Sequence, residues 1–170
     1  LEDCGTKLVF LKPPTINFTT MSALMFYDSS DIKLVGMRMN RNLAYCMLAE
    51  QVFGNFTIIN TAFLRCVTFQ LNKGTDIGSN AKFLYKNCRP TDRKTTLLIE
   101  NSWFLYGRKK SDRAGGLSIF TYCPKVHVLI NHTKVMYNGG GNLAVHIDDH
   151  HENTSSVTIN NSSVAYGSAE

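Results

Sequence analysis

The sequence predicts an all-β solenoid of stacked parallel strands, about five coils long, and three observations predict it. First, a short frame of alternating apolar residues recurs, and its second apolar residue is called the anchor here. The anchors are 24, 41, 31 and 29 residues apart, a spacing typical of repeat proteins: Leu34, Ile58, Ile99, Ile130 and Ile159. Second, no segment of 10–12 residues has helical periodicity. Third, positions at equal distance from the anchor have matching chemistry.

Each copy of the frame begins with a strand that ends near the anchor. The two apolar residues are two positions apart, so they lie on one face of a strand, and the residue between them points the other way. The five copies span Ile32–Met39, Phe56–Phe63, Leu97–Phe104, Val128–Val135 and Val157–Val164.

A second strand is predicted after a loop in each repeat. These segments are Leu43–Tyr45, Ala81–Phe83, Leu117–Ile119 and Leu143–Ile147. Before the first full copy, a degenerate coil is expected from Leu8–Phe10, Ile16–Phe18 and Leu24–Phe26. Two-residue hairpin turns are not a feature of the chain, since Asn-Gly occurs only at Asn138-Gly139. Stacked coils, with like residues above like, are therefore favoured over a sandwich of hairpins.

Three columns of equivalent residues extend this prediction. Five residues after the anchor every residue is apolar, which indicates core: Met39, Phe63, Phe104, Val135 and Val164. Two residues after it, a turn is predicted, where asparagine tolerates left-handed dihedrals and side-chain amides can form a ladder: Gly36, Asn60, Asn101, His132 and Asn161. Seven residues after it, a stack of tyrosines with arginine at one end is expected: Arg41, Arg65, Tyr106, Tyr137 and Tyr166.

The repeats resemble right-handed, single-stranded parallel β-helices of the pectate-lyase-like superfamily, and in particular uncharacterised extracellular β-helix proteins of sponges and other invertebrates. The segments that carry the resemblance are Phe56–Phe63, Ser102–Gly107, Gly115–Ile119 and Val157–Ser162. The resemblance covers roughly residues 20–170 and implies the fold, but it transfers no catalytic residues.

Length and composition fit one β-helix domain over residues 1–170. The chain is 44% hydrophobic and 18% charged, as in folded globular proteins. No apolar run approaches the ~18 residues that a membrane span needs. The last repeat stops before the Gly-Gly pair that two earlier repeats reach, so we expect a fragment of a longer solenoid.

Cysteines and sequons bear on the cellular compartment. Five cysteines without a Cys-x-x-Cys pair do not support a zinc ribbon or a thioredoxin motif. Cys88 and Cys123 close corresponding strands and could be stacked neighbours. N-x-[ST] sequons begin at Asn17, Asn55, Asn131, Asn153, Asn160 and Asn161. They favour an extracellular or cell-surface location; the alternative is that β-helix turns simply favour Asn, Ser and Thr.

Catalysis is the first functional hypothesis, because the superfamily includes polysaccharide lyases and hydrolases. That chemistry needs carboxylates grouped on one face. One residue after the anchor, however, only Glu100 is acidic. The Asn-Thr-Asp and Gly-His-Gly signatures of polygalacturonases are absent. We therefore expect no catalytic residues and no cofactor in this segment.

Two clusters are candidate binding sites. His146, Asp148, Asp149 and His150 could ligate a divalent metal, although His146 is expected to point outward and the others to lie in a solvated loop. The basic run Arg108, Lys109, Lys110 and Arg113, with a net charge of +5, permits binding of acidic glycans. The alternative is a loop kept soluble by charge. Nucleic acid is not supported as a partner, since exposed aromatics do not interleave with these cations.

The tyrosine column also has two interpretations, a packing stack or an exposed platform for sugar rings. The sequence as a whole indicates an extracellular or cell-surface scaffold that binds glycans or protein partners through its loops and sheet faces. The alternative is part of a carbohydrate-active enzyme, either a polysaccharide lyase or a glycoside hydrolase.

Overall fold

The structure is a computed structural model that describes residues 23–41, 45–66, 80–86, 88, 94–107, 115–148 and 155–167, with the backbone of 7–10. Its strands are β1 (Lys7–Phe10), β2 (Leu24–Tyr27), β3 (Ser30–Val35), β4 (Arg38–Asn40), β5 (Met47–Glu50), β6 (Phe53–Ile59), β7 (Ala62–Leu64), β8 (Ala81–Tyr85), β9 (Thr95–Glu100), β10 (Trp103–Leu105), β11 (Leu117–Thr121), β12 (Val126–Asn131), β13 (Lys134–Met136), β14 (Leu143–Ile147), β15 (Ser156–Asn160) and β16 (Ser163–Ala165). The described residues form no helix that could cross a membrane.

The strands form three sheets. Sheet A has the order β1-β3-β6-β9-β12-β15, sheet B the order β14-β11-β8-β5-β2, and sheet C the order β16-β13-β10-β7-β4. From β2 onward, consecutive strands enter sheets B, A and C in turn. Each sheet contains five parallel strands, which is consistent with a parallel β-helix solenoid. β1 is the exception, because it pairs antiparallel with β3 at the edge of sheet A.

The predicted register is confirmed. Ile58 pairs with Leu34 and Ile99, Ile130 with Ile99 and Ile159, so the anchors form one file. The first four are fully buried, whereas Ile159 is 43% exposed because β15 is an edge strand. Full burial of one such aliphatic side chain contributes about 1.5–3 kcal/mol, so the file is a main source of stability.

Side chains from all three sheets meet in one core. Phe56 of sheet A packs edge-on against Phe26 and Phe83 of sheet B, with ring centroids 5.5 and 5.2 Å apart. Phe63 and Phe104 of sheet C stack on each other at 5.0 Å. The column five residues after the anchor supplies this part of the core, as predicted. Its last member, Val164, is exposed because it lies on the edge strand β16.

Two details of the strand prediction were wrong. Each repeat was expected to contain two main strands, but three are present, since the fifth-residue column lies on short strands of its own in sheet C. A strand was also predicted over Leu43–Tyr45; Leu43 and Ala44 lie outside the described residues, but Tyr45 is not in a strand and β5 begins at Met47. The run from Leu43 to Ala49 is apolar without alternation, so period two could not locate the strand within it.

A left-handed residue bends the chain from sheet A into sheet C. In the column two residues after the anchor, φ lies between 47° and 66° at every position: Gly36, Asn60, Asn101, His132 and Asn161. This confirms the predicted turn. The side-chain ladder lies one residue later, however, and it is made of hydroxyls instead of amides.

The hydroxyl column consists of Thr61, Ser102, Thr133 and Ser162. Each hydroxyl donates to the carbonyl two residues earlier, at 2.7–3.0 Å. Each hydroxyl also accepts a hydrogen bond from the backbone N–H of the equivalent residue in the preceding repeat, at 3.0–3.4 Å. Thr61, Ser102 and Thr133 are buried, so these bonds satisfy groups that water does not reach.

Candidate functional site

The outer surface of sheet C combines aromatic, aliphatic and basic side chains. We call it the sheet C face, and it has three columns that run across the strands. The first is Arg38, Ala62, Trp103, Lys134 and Ser163; the second is Asn40, Leu64, Leu105, Met136 and Ala165. The third is the corner that ends the sheet: Arg41, Arg65, Tyr106, Tyr137 and Tyr166.

The corner column is built on left-handed backbone. Its five residues have φ between 54° and 59°. The alternation of a strand would turn Tyr106 toward the same side as buried Phe104, whereas the left-handed turn leaves it exposed. Left-handed backbone costs a residue with a Cβ roughly 1–2 kcal/mol, and only glycine, asparagine and aspartate adopt it routinely. Arginine or tyrosine nevertheless occupies this position in all five repeats, which indicates that these side chains have a role that offsets the backbone strain.

The tyrosine stack is confirmed. Ring centroids are 5.3 Å apart between Tyr106 and Tyr137 and 5.2 Å apart between Tyr137 and Tyr166, with the rings nearly parallel. The Arg65 guanidinium lies 5.9 Å from the Tyr106 ring centre. Such pairs contribute about 0.5–1.5 kcal/mol each, which offsets part of the backbone strain. Because the rings cover each other's faces, the stack presents mainly its edges and hydroxyls to solvent.

Trp103 and Lys134 occupy the other side of the face. Trp103 is the single tryptophan of the chain and is 48% exposed. The Lys134 ammonium lies 5.9 Å from its ring centre on the neighbouring strand. Between these residues and the tyrosines, Leu105 and Met136 are half-buried. Exposed tryptophan, tyrosine and arginine together are typical of binding surfaces.

The outer face of sheet B is different, because the chain itself buries much of it. Met25 and Leu48 point outward from sheet B, yet they form a second buried cluster with Tyr45. Phe120 and Ser118 on the same face are also buried. Part of this surface is therefore occupied within the molecule, whereas Tyr27 and His146 remain exposed.

The predicted metal site is only partly described. His146 points outward, as expected, and its ring lies 6.1 Å from that of Phe120 and 5.5 Å from that of Tyr122. Asp148 is half-buried. Asp149 and His150 lie outside the described residues. Within the described ranges, no three His, Cys, Asp or Glu side chains are grouped to hold a metal ion.

The predicted basic binding site, Arg108, Lys109, Lys110 and Arg113, lies outside the described residues. Glu100, the glutamate considered for catalysis, lies within the described residues. Glu100 is half-buried on the outer side of sheet A, where its neighbours on the adjacent strands are Ile59 and Asn131. No second carboxylate lies beside it in this column.

The hydroxyl column explains two of the sequons. Thr133 completes the sequon of Asn131, and Ser162 completes that of Asn160. Both hydroxyls hold turns of the fold together, so the repeat itself generates the motif. The two asparagines pair in register on the outer side of sheet A.

The Asn55 sequon has no such structural explanation. Asn55 is exposed on β6, and its backbone N–H donates to the Asp31 carboxylate at 2.9 Å. Thr57, which completes the sequon, lies on the outer side of sheet A within β6, and Ile58 and Ile59 separate it from the turn. Asn17 and Asn153 lie outside the described residues.

Two disulfides are present among the described cysteines. Cys88 pairs with Cys123, as the strand alignment suggested, and Cys46 pairs with Cys66; the Cα–Cα distances are 5.6 and 5.7 Å. Cys46 and Cys66 are fully buried, at the turn between sheets C and B.

No protein-family model, curated protein or solved structure matches this chain. The candidate site therefore rests on the geometry of this molecule alone. Sequence reasoning used the columns five and seven residues after the anchor but missed those four and six residues after it, which hold Trp103, Lys134, Leu105 and Met136. Period two, applied on either side of the buried fifth-residue column, would have placed these columns on the surface.

Proposed function

We propose that this chain is a right-handed, single-stranded parallel β-helix of about five coils in an extracellular or cell-surface protein. In this proposal it is a binding scaffold without catalytic residues of its own, and the sheet C face contacts glycans or protein partners. The three parallel sheets and the repeated register support the β-helix part of this proposal.

The sheet C face carries the proposal. A folded solenoid requires apolar residues on the inner columns but not on the outer ones. Here the outer columns hold the only tryptophan, three stacked tyrosines and the half-buried side chains of Leu64, Leu105 and Met136 in a continuous patch. A rigid sheet presents these groups with little conformational freedom to lose on binding, which favours affinity.

The extracellular location is supported by the cysteines and by Asn55. Disulfides persist in oxidising compartments and are rare in the cytosol. Two disulfides join residues that are 20 and 35 positions apart in sequence. The exposed Asn55 sequon, which the fold does not require, agrees with passage through the secretory route.

A glycan array, run beside an activity screen on acidic polysaccharides, tests the proposal. Trp103→Ala and Tyr137→Ala should each abolish binding. Tyr122→Ala is the matched control, because Tyr122 is as exposed as Trp103 but lies outside sheet C. Binding that survives both sheet C variants would overturn the assigned surface. Turnover of a polysaccharide would instead support the carbohydrate-active enzyme.

A further inference from the structure

The three columns of the sheet C face contain four cationic residues and no acidic one, and we infer that this face binds a linear acidic polysaccharide laid across its strands. Arg38, Arg41, Arg65 and Lys134 would contact the carboxylate or sulfate groups of the ligand. The inference rests on the proposed function, since it names the ligand class for the same surface.

The charge pattern of this face is one-sided. All four cations occupy outward or corner positions, and none of the fifteen residues in its three columns is Asp or Glu. No carboxylate of the described residues forms an ion pair with any of these four side chains. The outer sides of sheets A and B, in contrast, include Glu100 and Glu50. A surface of one sign attracts a ligand of the opposite sign and raises its association rate.

The side chains of this face suit anionic groups on a polymer. An arginine guanidinium binds carboxylates and sulfates through two parallel hydrogen bonds. Aromatic rings support Arg65 and Lys134, so part of their rotamer freedom is lost before a ligand arrives. The exposed hydroxyls of Tyr106, Tyr137 and Tyr166 form a row of donors and acceptors that fits the hydroxyl groups of sugars.

The shape of the face favours a chain over a globular partner. Parallel strands are about 4.8 Å apart, so the face extends roughly 20 Å across its five strands. Each strand has only three residues, so the face extends only about 10 Å along the strands. This strip is well below the ~800 Å² per partner of a standard protein interface. A polysaccharide that crosses the strands, however, would contact cations on β4, β7's corner and β13 in succession.

Binding is measured by calorimetry with defined probes at several salt concentrations. The probes are a heparin oligosaccharide (sulfate), an oligogalacturonate (carboxylate), a neutral dextran and poly-glutamate. We expect at least one acidic saccharide to bind, with affinity that falls as salt rises, and the dextran not to bind. Removing one charge-assisted contact should weaken binding about tenfold in Arg41→Ala or Arg65→Ala. Arg65→Lys should lose only part of the affinity, because it keeps the charge without the fork.

Lys33→Ala is the matched control, since Lys33 is an exposed cation on the outer side of sheet A. It should change the affinity less than twofold, and unchanged thermal midpoints should show that each variant is folded. Equal losses in Lys33→Ala and Arg65→Ala would overturn the inference, as would tighter binding of poly-glutamate or no binding of either acidic saccharide. Salt-independent binding of a neutral glycan that requires Trp103 would overturn only the acidic ligand and leave the proposed function standing.

Discussion

Replacing Ser102 by alanine tests whether the hydroxyl column holds the turns together. The Ser102 hydroxyl donates to the Glu100 carbonyl at 2.8 Å and accepts the Thr61 N–H at 3.2 Å, and Ser102 is fully buried. In the alanine variant the Glu100 carbonyl keeps the Asn60 N–H, at 3.1 Å, but the Thr61 N–H loses its acceptor. One unsatisfied buried donor costs about 1–3 kcal/mol, so we expect the free energy of unfolding to fall by that amount.

Urea unfolding monitored by circular dichroism measures the change, and a thermal melt should show a midpoint lower by roughly 2–4 °C per kcal/mol. Ser102→Thr should retain the wild-type stability, because Thr61 and Thr133 fill the same column on adjacent strands. Ser163→Ala is the exposed control and should stay within about 0.5 kcal/mol. An alanine variant at position 102 as stable as Ser163→Ala would refute the role of the column.

Three further changes test other features. The Tyr85 hydroxyl is buried and has no hydrogen-bond partner among the described residues, and burial raises its pKa. Tyr85→Phe should therefore leave the free energy of unfolding unchanged or raise it by about 1 kcal/mol in urea unfolding, whereas a marked loss would reveal a partner. Desolvation and, as a smaller cause, the charge of Lys94 lower the pKa of His127 in the folded chain, so the unfolded chain binds a proton more readily. The free energy of unfolding should therefore fall as pH drops through about 6.5. His127→Gln should flatten this part of a pH series of melts, and an unchanged slope would contradict the role of His127. Secretory expression should place an N-linked glycan on Asn55, seen as a mass shift that a glycosidase removes. Thr57→Ala should abolish this glycan, whereas Thr57→Ser should keep it. An unmodified Asn55 in the secreted wild-type protein would refute the prediction.

The parts of the fold that sequence could predict are those set by stacking. Ile99 and Ile130 must share a phase because the core runs through every repeat, and Asn60 and Asn101 mark turns because asparagine tolerates left-handed backbone. These constraints act on each repeat separately, so they recur in the sequence. The hydroxyls of Thr61 and its equivalents recur as well, but Ser and Thr are so frequent in this chain that their column does not stand out in the sequence.

Contacts between different columns could not be read in this way. Asn138 is fully buried, and its side chain bonds Asn80, Asn142 and the Gly107 N–H at 2.7–3.0 Å. Asn80 and Asn138 are 58 residues apart in sequence and lie between sheets C and B in different repeats, Asn80 before β8 and Asn138 after β13. Loops of unequal length separate them, so no fixed spacing brings them together. Only the folded chain shows that three asparagines satisfy one another inside the turn between sheets C and B.

The candidate site follows from what the fold does not require. The outward positions nearest the anchors of sheet A hold polar Lys33, Thr57 and Thr158 and half-buried Leu98 and Leu129, so none of them is an exposed aromatic residue. Trp103 occupies a comparable outward position on sheet C, where its exposed ring adds apolar area without filling the core. Apolar residues at positions that the core does not need are informative about binding, whereas the buried columns only report the architecture. In a solenoid, then, the sequence repeat identifies the fold, and the columns where the repeat has no structural reason for its residues identify the surface.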